Sequence, residues 1–148
     1  MSLYLDTSAL VKVFLGEMGA DSVRRAIAAD PVVWTCAITY LETRASFARA
    51  RRDNRLSQAQ WARLRGELES VWATYSDVTV DGGLLLQAVD LLDRHTQHAL
   101  RSLDALHLAA ALQVAAGEPG AVTFVCFDRR LWRSARDEGF ECLPRAQP

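Results

Sequence analysis

Short apolar segments alternate with longer helical segments along this chain, and no other feature restricts its fold as strongly. Five apolar segments resemble strands: SLYLD (2–6), VVWTCA (32–37), DVTV (77–80), VTFVCF (122–127) and FECL (140–143). Strands that alternate with helices build a parallel sheet with helices on both faces. We therefore expect an α/β fold, a doubly wound sheet of about five short parallel strands, in a single domain that spans residues 1–148.

Two helical segments, rather than one, separate the second and third predicted strands. The first covers residues 39–54 and the second covers residues 58–75. Ser57 and Gln60 have the S-x-x-Q spacing of a capping box, which predicts that the second of these helices begins there. We expect the two helices to form a hairpin that projects from the sheet.

The composition favours a folded domain over a disordered chain. Hydrophobic residues make up 50% of the chain and the net charge is -1, so the sequence predicts a packed core and no global basic field for nucleic acid. No apolar run approaches the ~20 residues of a membrane span, and no secretory signal opens the chain. We expect a cytoplasmic protein whose three cysteines, Cys36, Cys126 and Cys142, are buried free thiols.

Residues 101–117, RSLDALHLAAALQVAAG, form a predicted helix that is apolar on almost every face. Such a helix is normally buried between other elements. Asp104 nevertheless lies in its first turn and His107 follows three residues later. Because a lone buried charge is costly unless something pairs with it, the carboxylate of Asp104 requires a partner.

Four acids follow predicted strands or open the next helix: Asp6, Glu42, Asp104 and Asp128. In a parallel sheet, every strand-to-helix turn emerges at the same edge, where ligands bind. Two carboxylates ~5 Å apart repel by ~3 kcal/mol at an effective dielectric constant near 20. If the four acids converge, protons or a divalent cation must offset this repulsion, and oxygen ligands suit Mg²⁺ or Mn²⁺.

Each acid also has an interpretation as a helix cap. Asp6 and Asp128 have the positions of N-caps, and Asp81 is interpreted as an N-cap alone. Thr39 and Glu42 match the T-x-x-E capping box.

Asp104 would complement the helix dipole behind a Ser102 cap. His107 has two interpretations as well: a general base, or a histidine packed beside the sheet.

Four motifs of the chain resemble those of the PIN domain family and, within it, the VapC toxins of bacterial toxin–antitoxin pairs. The motifs are LYLDTSALVK at 3–12, ITYLETRASFARA at 38–50, LDALHLAAAL at 103–112 and FVCFDRRL at 124–131. The resemblance extends from Leu3 to Leu143. In the fourth motif, Cys126 stands where the family usually has a hydroxyl residue, and a thiol is a poorer hydrogen-bond donor.

The resemblance implies a metal-dependent endoribonuclease with Mg²⁺ or Mn²⁺ as its cofactor. Asp6 and Asp104 are expected to bind the metal directly, and Glu42 and Asp128 directly or through water. The resemblance also implies an RNA substrate, a cognate VapB-like antitoxin and a homodimer. An apolar helical surface around Trp61 and Trp72 is expected to support that dimer.

A basic stretch runs along and past the Glu42 helix, and its members are Arg44, Arg49, Arg51, Arg52 and Arg55. Arg49 lies seven residues after Glu42, on the same helix face and ~10.5 Å along the axis. It is a candidate for binding RNA phosphates, and a solvated helix face is the alternative.

Three other functions compete with the nuclease. A PIN-like module would bind RNA or a partner without cutting. A receiver-like signalling domain would need an acidic pair after the first strand, where Asp6 stands alone. A phosphatase with an aspartate nucleophile would need D-x-D, and the chain has DTS at residues 6–8.

Overall fold

A five-stranded parallel sheet forms the centre of the protein in a computed structural model, which describes residues 2–29 and 32–148. The strands are β1 (Ser2–Leu5), β2 (Val33–Cys36), β3 (Ser76–Val78), β4 (Val122–Val125) and β5 (Glu141–Leu143). Their order across the sheet is β3-β2-β1-β4-β5, and all four pairings are parallel. The predicted α/β architecture is confirmed.

Within the described residues, seven helices connect and cover the strands. They are α1 (Thr7–Leu15), α2 (Ala20–Ala29), α3 (Ile38–Arg52), α4 (Gln58–Trp72), α5 (Gly82–Arg94), α6 (Ser102–Gly117) and α7 (Arg129–Asp137). A single 3₁₀ turn, Thr96–His98, lies between α5 and α6. Among the described residues, no helix combines the length and the hydropathy that crossing a membrane requires.

The central strand β1 is buried on both faces because its side chains alternate between two cores. Leu3 and Leu5 pack with Val23 of α2 in one core. Tyr4 points to the other core, where its ring stacks on Phe124 with the centroids 5.3 Å apart. Helices therefore lie on both faces of the sheet, as continuously apolar strands require.

Helix α6 is buried through its middle, as the sequence predicts. Every residue from 105 to 111 is buried, whereas Leu103 near its start is 43% exposed. Four of those seven residues are alanines, whose small side chains let neighbouring elements pack close to this segment of the helix. The buried segment holds the start of α6 firmly, and that start carries Asp104.

Helices α3 and α4 form the predicted hairpin and pack on α1 through a separate core of Leu10, Phe47, Leu64 and Leu68. The capping box at the start of α4 is present. Ser57 Oγ accepts the backbone N–H of Gln60 at 3.1 Å, and Gln60 Oε1 accepts the backbone N–H of Ser57 at 2.8 Å.

The apolar surface expected around the two hairpin tryptophans is absent. Trp61 is half-buried in the hairpin core, and Trp72 is half-buried with its ring edge-on to Tyr40, the centroids 5.4 Å apart. Both side chains are covered by their own hairpin. The exposed apolar residues that cluster on one helix lie on α5 instead, and they are Leu85, Leu86 and Val89.

Candidate functional site

The strand order reverses between β1 and β4, because β2 and β3 lie on one side of β1 and β4 and β5 lie on the other. Parallel sheets form their ligand crevices at such a switch point. Asp6 follows β1 and Asp128 follows β4 by three residues. The backbone N–H of Asp6 donates to the carbonyl of Val125 at 3.1 Å, which holds the two strand ends together. Both aspartates therefore emerge at one crevice.

A cavity of about 380 Å³ opens at this crevice. Its walls include all four acids that the sequence singles out, Asp6, Glu42, Asp104 and Asp128, together with Arg49, Arg101 and His107. The structure thus brings the four predicted site acids into one cavity. Asp81 does not line the cavity, and it caps α5 by accepting the backbone N–H of Leu84 at 2.8 Å, as predicted.

Asp6 and Asp128 are helix caps as well as cavity residues. Asp6 Oδ1 accepts the backbone N–H of Ala9 at 3.1 Å and the hydroxyl of Ser8 at 2.7 Å. Asp128 Oδ1 accepts the backbone N–H groups of Arg130 and Leu131 at 2.8 and 3.1 Å. In each case one carboxylate oxygen caps the helix, so capping and site membership are compatible.

The capping box predicted for Thr39 and Glu42 is wrong. Helix α3 starts after Ala37, without a side-chain cap. Thr39 is fully buried, and its hydroxyl lies 2.7 Å from the hydroxyl of Thr35 on β2. Because burial directs Thr39 to the sheet, the Glu42 carboxylate turns to other partners in the cavity.

The Ser102 cap predicted for α6 is also wrong. Arg101 occupies the N-cap position, and Asp104 Oδ2 accepts the backbone N–H of Arg101 at 3.0 Å. The carboxylate therefore satisfies one of the free N–H groups at its own helix start, which is favourable next to the positive end of the helix.

Glu42 is held by a hydrogen-bond network that reaches the centre of the sheet. Its Oε2 atom accepts the hydroxyl of Thr7 at 2.6 Å and lies 2.8 Å from His107 Nε2. Because a carboxylate only accepts hydrogen bonds, Nε2 is the donor. His107 Nδ1 lies 3.2 Å from the hydroxyl of Tyr4, which donates to it in the neutral ring.

His107 is buried and both of its ring nitrogens have protein partners. A general base needs a free lone pair directed at the reacting proton, and neither nitrogen offers one here. This geometry favours the interpretation of His107 as a packed histidine that positions Glu42.

In three of the four carboxylates, one oxygen accepts hydrogen bonds from the protein and the other does not. The oxygens Asp6 Oδ2, Glu42 Oε1 and Asp104 Oδ1 accept no hydrogen bond from the residues that the structure describes, whereas the second oxygen of each does. A carboxylate with one oxygen fixed by the protein presents the other to a ligand at a defined position.

Arg101 is a site residue that sequence analysis misses. Its guanidinium donates to Asp128 Oδ2 at 2.8 Å and lies 3.4 Å from Asp104 Oδ2. Its side chain is 61% exposed, so it supplies a positive charge at the cavity mouth that solvent can reach. The only sequence signal was its place two residues before the motif that contains Asp104.

Three acids of the cavity differ in the direction in which the protein shifts their pKa values. Burial raises the pKa of Asp6, and the charge of His107 and the hydrogen bond from Ser8 offset only part of the rise. Burial likewise raises the pKa of Asp104. Burial also acts to raise the pKa of Glu42, but the hydrogen bonds from His107 and Thr7 and the charge of His107 outweigh it and lower that pKa.

Cys126 supports the turn before α7 through its sulfur. The backbone N–H of Asp128 donates to Cys126 Sγ at 3.3 Å, and the thiol lies 3.4 Å from the carbonyl of the same residue. The thiol thus contacts the backbone of Asp128 and not its carboxylate. Cys126 is buried and free, as are Cys36 and Cys142, in agreement with the sequence analysis.

Of the basic stretch on and after α3, only Arg49 lines the cavity. It is exposed and has no ion-pair partner among residues 2–29 and 32–148. The other four arginines bind elsewhere in the protein: Arg44 to Tyr40, Arg51 to Gln58, Arg52 to Asp53 and Arg55 to Glu17.

The donor set of the cavity suits a hard divalent cation, because it consists of carboxylate oxygens without a cysteine or a free histidine nitrogen. Among the described residues, no three of these carboxylates bring oxygens within 4.8 Å of one another. Arg101 contacts Asp104 and Asp128, and Glu42 is drawn toward His107. The residues fit a cation that replaces the Arg101 contacts.

The profile of the PIN domain family matches residues 3–137. The chain belongs to the PIN domain family. It is 33% identical to ribonuclease VapC45 of Mycobacterium tuberculosis, over 96% of this chain and 94% of that protein. PIN membership excludes the receiver-like and phosphatase alternatives.

Solved PIN structures share the fold. VapC20 of Mycobacterium tuberculosis, a toxin that cleaves the sarcin–ricin loop, has a TM-score of 0.68 at 20% identity, over 99% of both chains. A toxin–antitoxin complex from Klebsiella pneumoniae has a TM-score of 0.60 at 17% identity, over 86% of this chain and 87% of that chain.

The Asp6→Asn variant tests the electrostatic cost of this PIN site. Asn keeps the oxygen that accepts from Ser8 and Ala9 but removes the buried charge. Because the folded pKa of Asp6 lies above its unfolded value, the ionised carboxylate destabilises the fold at pH 7. We expect a higher melting temperature in metal-free buffer at pH 7. The difference from wild type should close as the pH falls and Asp6 becomes protonated.

Thermal unfolding followed by circular dichroism between pH 4 and pH 8, with a chelator present, measures this effect. Asp81→Asn, at an exposed cap outside the cavity, is the matched control and should barely change the melting temperature. A lower melting temperature for Asp6→Asn at pH 7 would contradict the assigned cost of the buried charge.

Proposed function

We propose that this protein is a metal-dependent endoribonuclease that hydrolyses RNA phosphodiester bonds. We further propose that it is the toxin of a type II toxin–antitoxin pair. One observation carries the proposal: three of the four acids in the cavity, Asp6, Glu42 and Asp104, hold one oxygen in protein hydrogen bonds and leave the other free of hydrogen bonds from the described residues. The relative VapC45 is a ribonuclease, and this likeness supports the same activity.

Asp6 and Asp104 would hold the cation directly, through Asp6 Oδ2 and Asp104 Oδ1. Glu42 and Asp128 would complete the site directly or through water. When bound, Mg²⁺ or Mn²⁺ supplies water activation and neutralises charge on the phosphate. The raised pKa values of Asp6 and Asp104 favour this role, since a nearby cation offsets the cost of ionising both groups.

Glu42 is the acid best suited to orient the attacking water. Thr7 and His107 hold its Oε2 atom by hydrogen bonds. Because both oxygens belong to one planar carboxylate, the same contacts also fix the position of Oε1. The lowered pKa keeps Glu42 ionised at neutral pH, so its carboxylate can accept a hydrogen bond from the attacking water and orient it. His107 and Tyr4 are positioning residues in this proposal.

The two arginines of the cavity are suited to bind the RNA backbone. Arg49 is exposed and free of ion pairs within the described residues, and Arg101 becomes available when a cation takes over Asp104 and Asp128. Guanidinium groups bind phosphates through paired hydrogen bonds. Because the chain has a net charge of -1, these two groups would provide a local RNA contact.

The structure of a toxin–antitoxin complex from Klebsiella pneumoniae shares the fold, and this likeness supports a cognate VapB-like antitoxin as the partner of this protein. A partner that carries a basic side chain into the cavity would meet four acids, one of which, Asp128, forms an exposed ion pair with Arg101. An antitoxin that covers the cavity would therefore block both the metal and the RNA.

Removal of the divalent metal should abolish RNA cleavage. The donor set is entirely carboxylate, so a chelator competes directly for the ion. Cleavage of a mixed RNA pool should stop in excess EDTA and return when Mg²⁺ or Mn²⁺ is restored. Full activity in EDTA, with the Asp6→Asn variant inactive as a check for contaminating nuclease, would reject the metal site.

The Glu42→Gln variant separates a nuclease from a PIN-like module that only binds. Gln retains an oxygen that accepts from Thr7 and His107, so the fold should be preserved. Loss of the charge should cut the cleavage rate by orders of magnitude, with RNA binding by the catalytically impaired protein retained. Asp81→Asn is the control and should cleave like wild type. A wild-type rate for Glu42→Gln would remove Glu42 from the proposed mechanism.

The homodimer remains a prediction, and its basis moves from the tryptophans to helix α5. Leu85, Leu86 and Val89 are 49%, 70% and 53% exposed and lie on one helix. Burying such a surface stabilises an interface. We expect a dimer by light scattering and a shift toward monomer for Leu86→Glu. A wild-type protein that stays monomeric at high concentration would contradict the dimer.

A further inference from the structure

A second cluster of metal-binding side chains lies outside the carboxylate cavity. His95, His98 and Asp137 each place a ligand atom within 4.8 Å of the others. Among the described residues, it is the only group of three or more His, Cys, Asp or Glu side chains that meets this distance. It joins the end of α5, the 3₁₀ turn and the last residue of α7.

The backbone explains why both histidines project to the same side. His95 ends α5, and Thr96–His98 form the 3₁₀ turn. A 3₁₀ turn has three residues per turn, so positions i and i+3 are eclipsed. The two rings accordingly stack with their centroids 6.0 Å apart and their planes 19° apart. Ala99, at φ +53°, ends the turn in the left-handed region.

An unpartnered nitrogen in the cluster points to a ligand. His95 is 2% exposed, and its Nε2 atom lies 2.8 Å from Glu138 Oε1. Because the carboxylate accepts, Nε2 carries the proton and Nδ1 bears a lone pair. Nδ1 is buried and has no hydrogen-bond partner among residues 2–29 and 32–148. A histidine that donates one N–H to a carboxylate and keeps the other nitrogen free is the usual arrangement at metal sites.

His98 and Asp137 are hydrogen-bonded to each other at the open side of the cluster, with His98 Nε2 as the donor, and a bound ion would replace the proton between them. His98 Nε2 lies 2.7 Å from Asp137 Oδ2, and the Asp137 side chain is 51% exposed. An ion would enter from this side, and water would fill the remaining coordination position.

The charges around the cluster favour a cation. Helices α5 and α7 both end here, and helix C-termini carry partial negative charge. Asp137 and Glu138 contribute two carboxylates. Arg94 is a positive group beside the cluster, and its guanidinium pairs with Glu138 at 2.8 Å. Arg94 therefore neutralises the carboxylate that orients His95, whereas Asp137 has no arginine or lysine partner among the described residues.

We propose that His95, His98 and Asp137 form a second metal site, which takes a first-row transition-metal ion of the Zn²⁺ class. Two imidazoles and one carboxylate are ligands that Zn²⁺ and Co²⁺ bind, whereas Mg²⁺ prefers oxygen. The ion ties the turn between α5 and α6 to the end of α7. Arg101, at the start of α6, follows His98 by three residues, so the ion also steadies the segment that carries Asp104.

Metal titration of the untagged full-length chain tests this site. Co²⁺ is the probe because nitrogen and oxygen ligands give it a visible absorption band, and Zn²⁺ displaces it. We expect one equivalent of Co²⁺ to produce the band in wild type, in Asp6→Asn and in Asp93→Asn. Asp93 is an exposed acid of α5 outside the cluster and serves as the matched control. Asp137→Asn and His98→Gln should each weaken Co²⁺ and Zn²⁺ binding at least ten-fold.

Thermal unfolding supplies a second readout that does not depend on RNA cleavage. Zn²⁺ should raise the melting temperature of wild type and Asp6→Asn, because it binds the folded state, and should not do so for Asp137→Asn. Asp137 is exposed and Asn keeps an oxygen at the same place, so this variant should fold. A Co²⁺ band that survives in Asp137→Asn, or one that disappears in Asp6→Asn, would overturn the proposal. Absence of tight Co²⁺ binding to wild type would overturn it as well.

Discussion

The site depends on the hydrogen bonds that hold the buried carboxylate of Asp6 in place. Asp6 ends the central strand, and its Oδ1 atom caps α1 and accepts the hydroxyl of Ser8. Ser8 Oγ in turn accepts the backbone N–H of Phe127 at 2.7 Å, which ties the turn after β1 to the turn after β4. The protein thus fixes an ionisable group where burial raises its pKa, and the cation that we propose at this site would offset that cost.

Two side chains, His107 and Arg101, donate hydrogen bonds to the remaining acids, and they differ in solvent exposure. His107 is buried in α6 and holds Glu42 through Nε2, with Tyr4 contacting the other ring nitrogen. Arg101 reaches Asp104 and Asp128 from an exposed position. Packing prevents His107 from leaving, whereas a cation or a phosphate can displace Arg101 from its exposed ion pairs. The fixed partner sets the geometry and the exposed partner leaves the cavity open to ligands.

Several predictions from the sequence were confirmed because they depend on local pattern. Strand and helix alternation predicted the parallel sheet, and the apolar run of α6 predicted its burial. Asp6 and Asp128 were interpreted either as caps or as site residues, and in the structure each caps a helix through one oxygen and also lines the cavity. The T-x-x-E motif at Thr39 was misleading, because contact with Thr35 on β2 outweighed the local capping preference.

The sequence by itself determined the α/β fold class, the position of four acids at one sheet edge and the PIN family motifs. Residue type and spacing within a few positions are enough for these features, because strand ends and helix starts are local. Only the tertiary structure decided the partners of those acids. Glu42 meets Thr7 from 35 residues away and His107 from 65, and His95 meets Glu138 from 43 residues away. No periodicity specifies such contacts, since they arise only when packed elements bring distant side chains together.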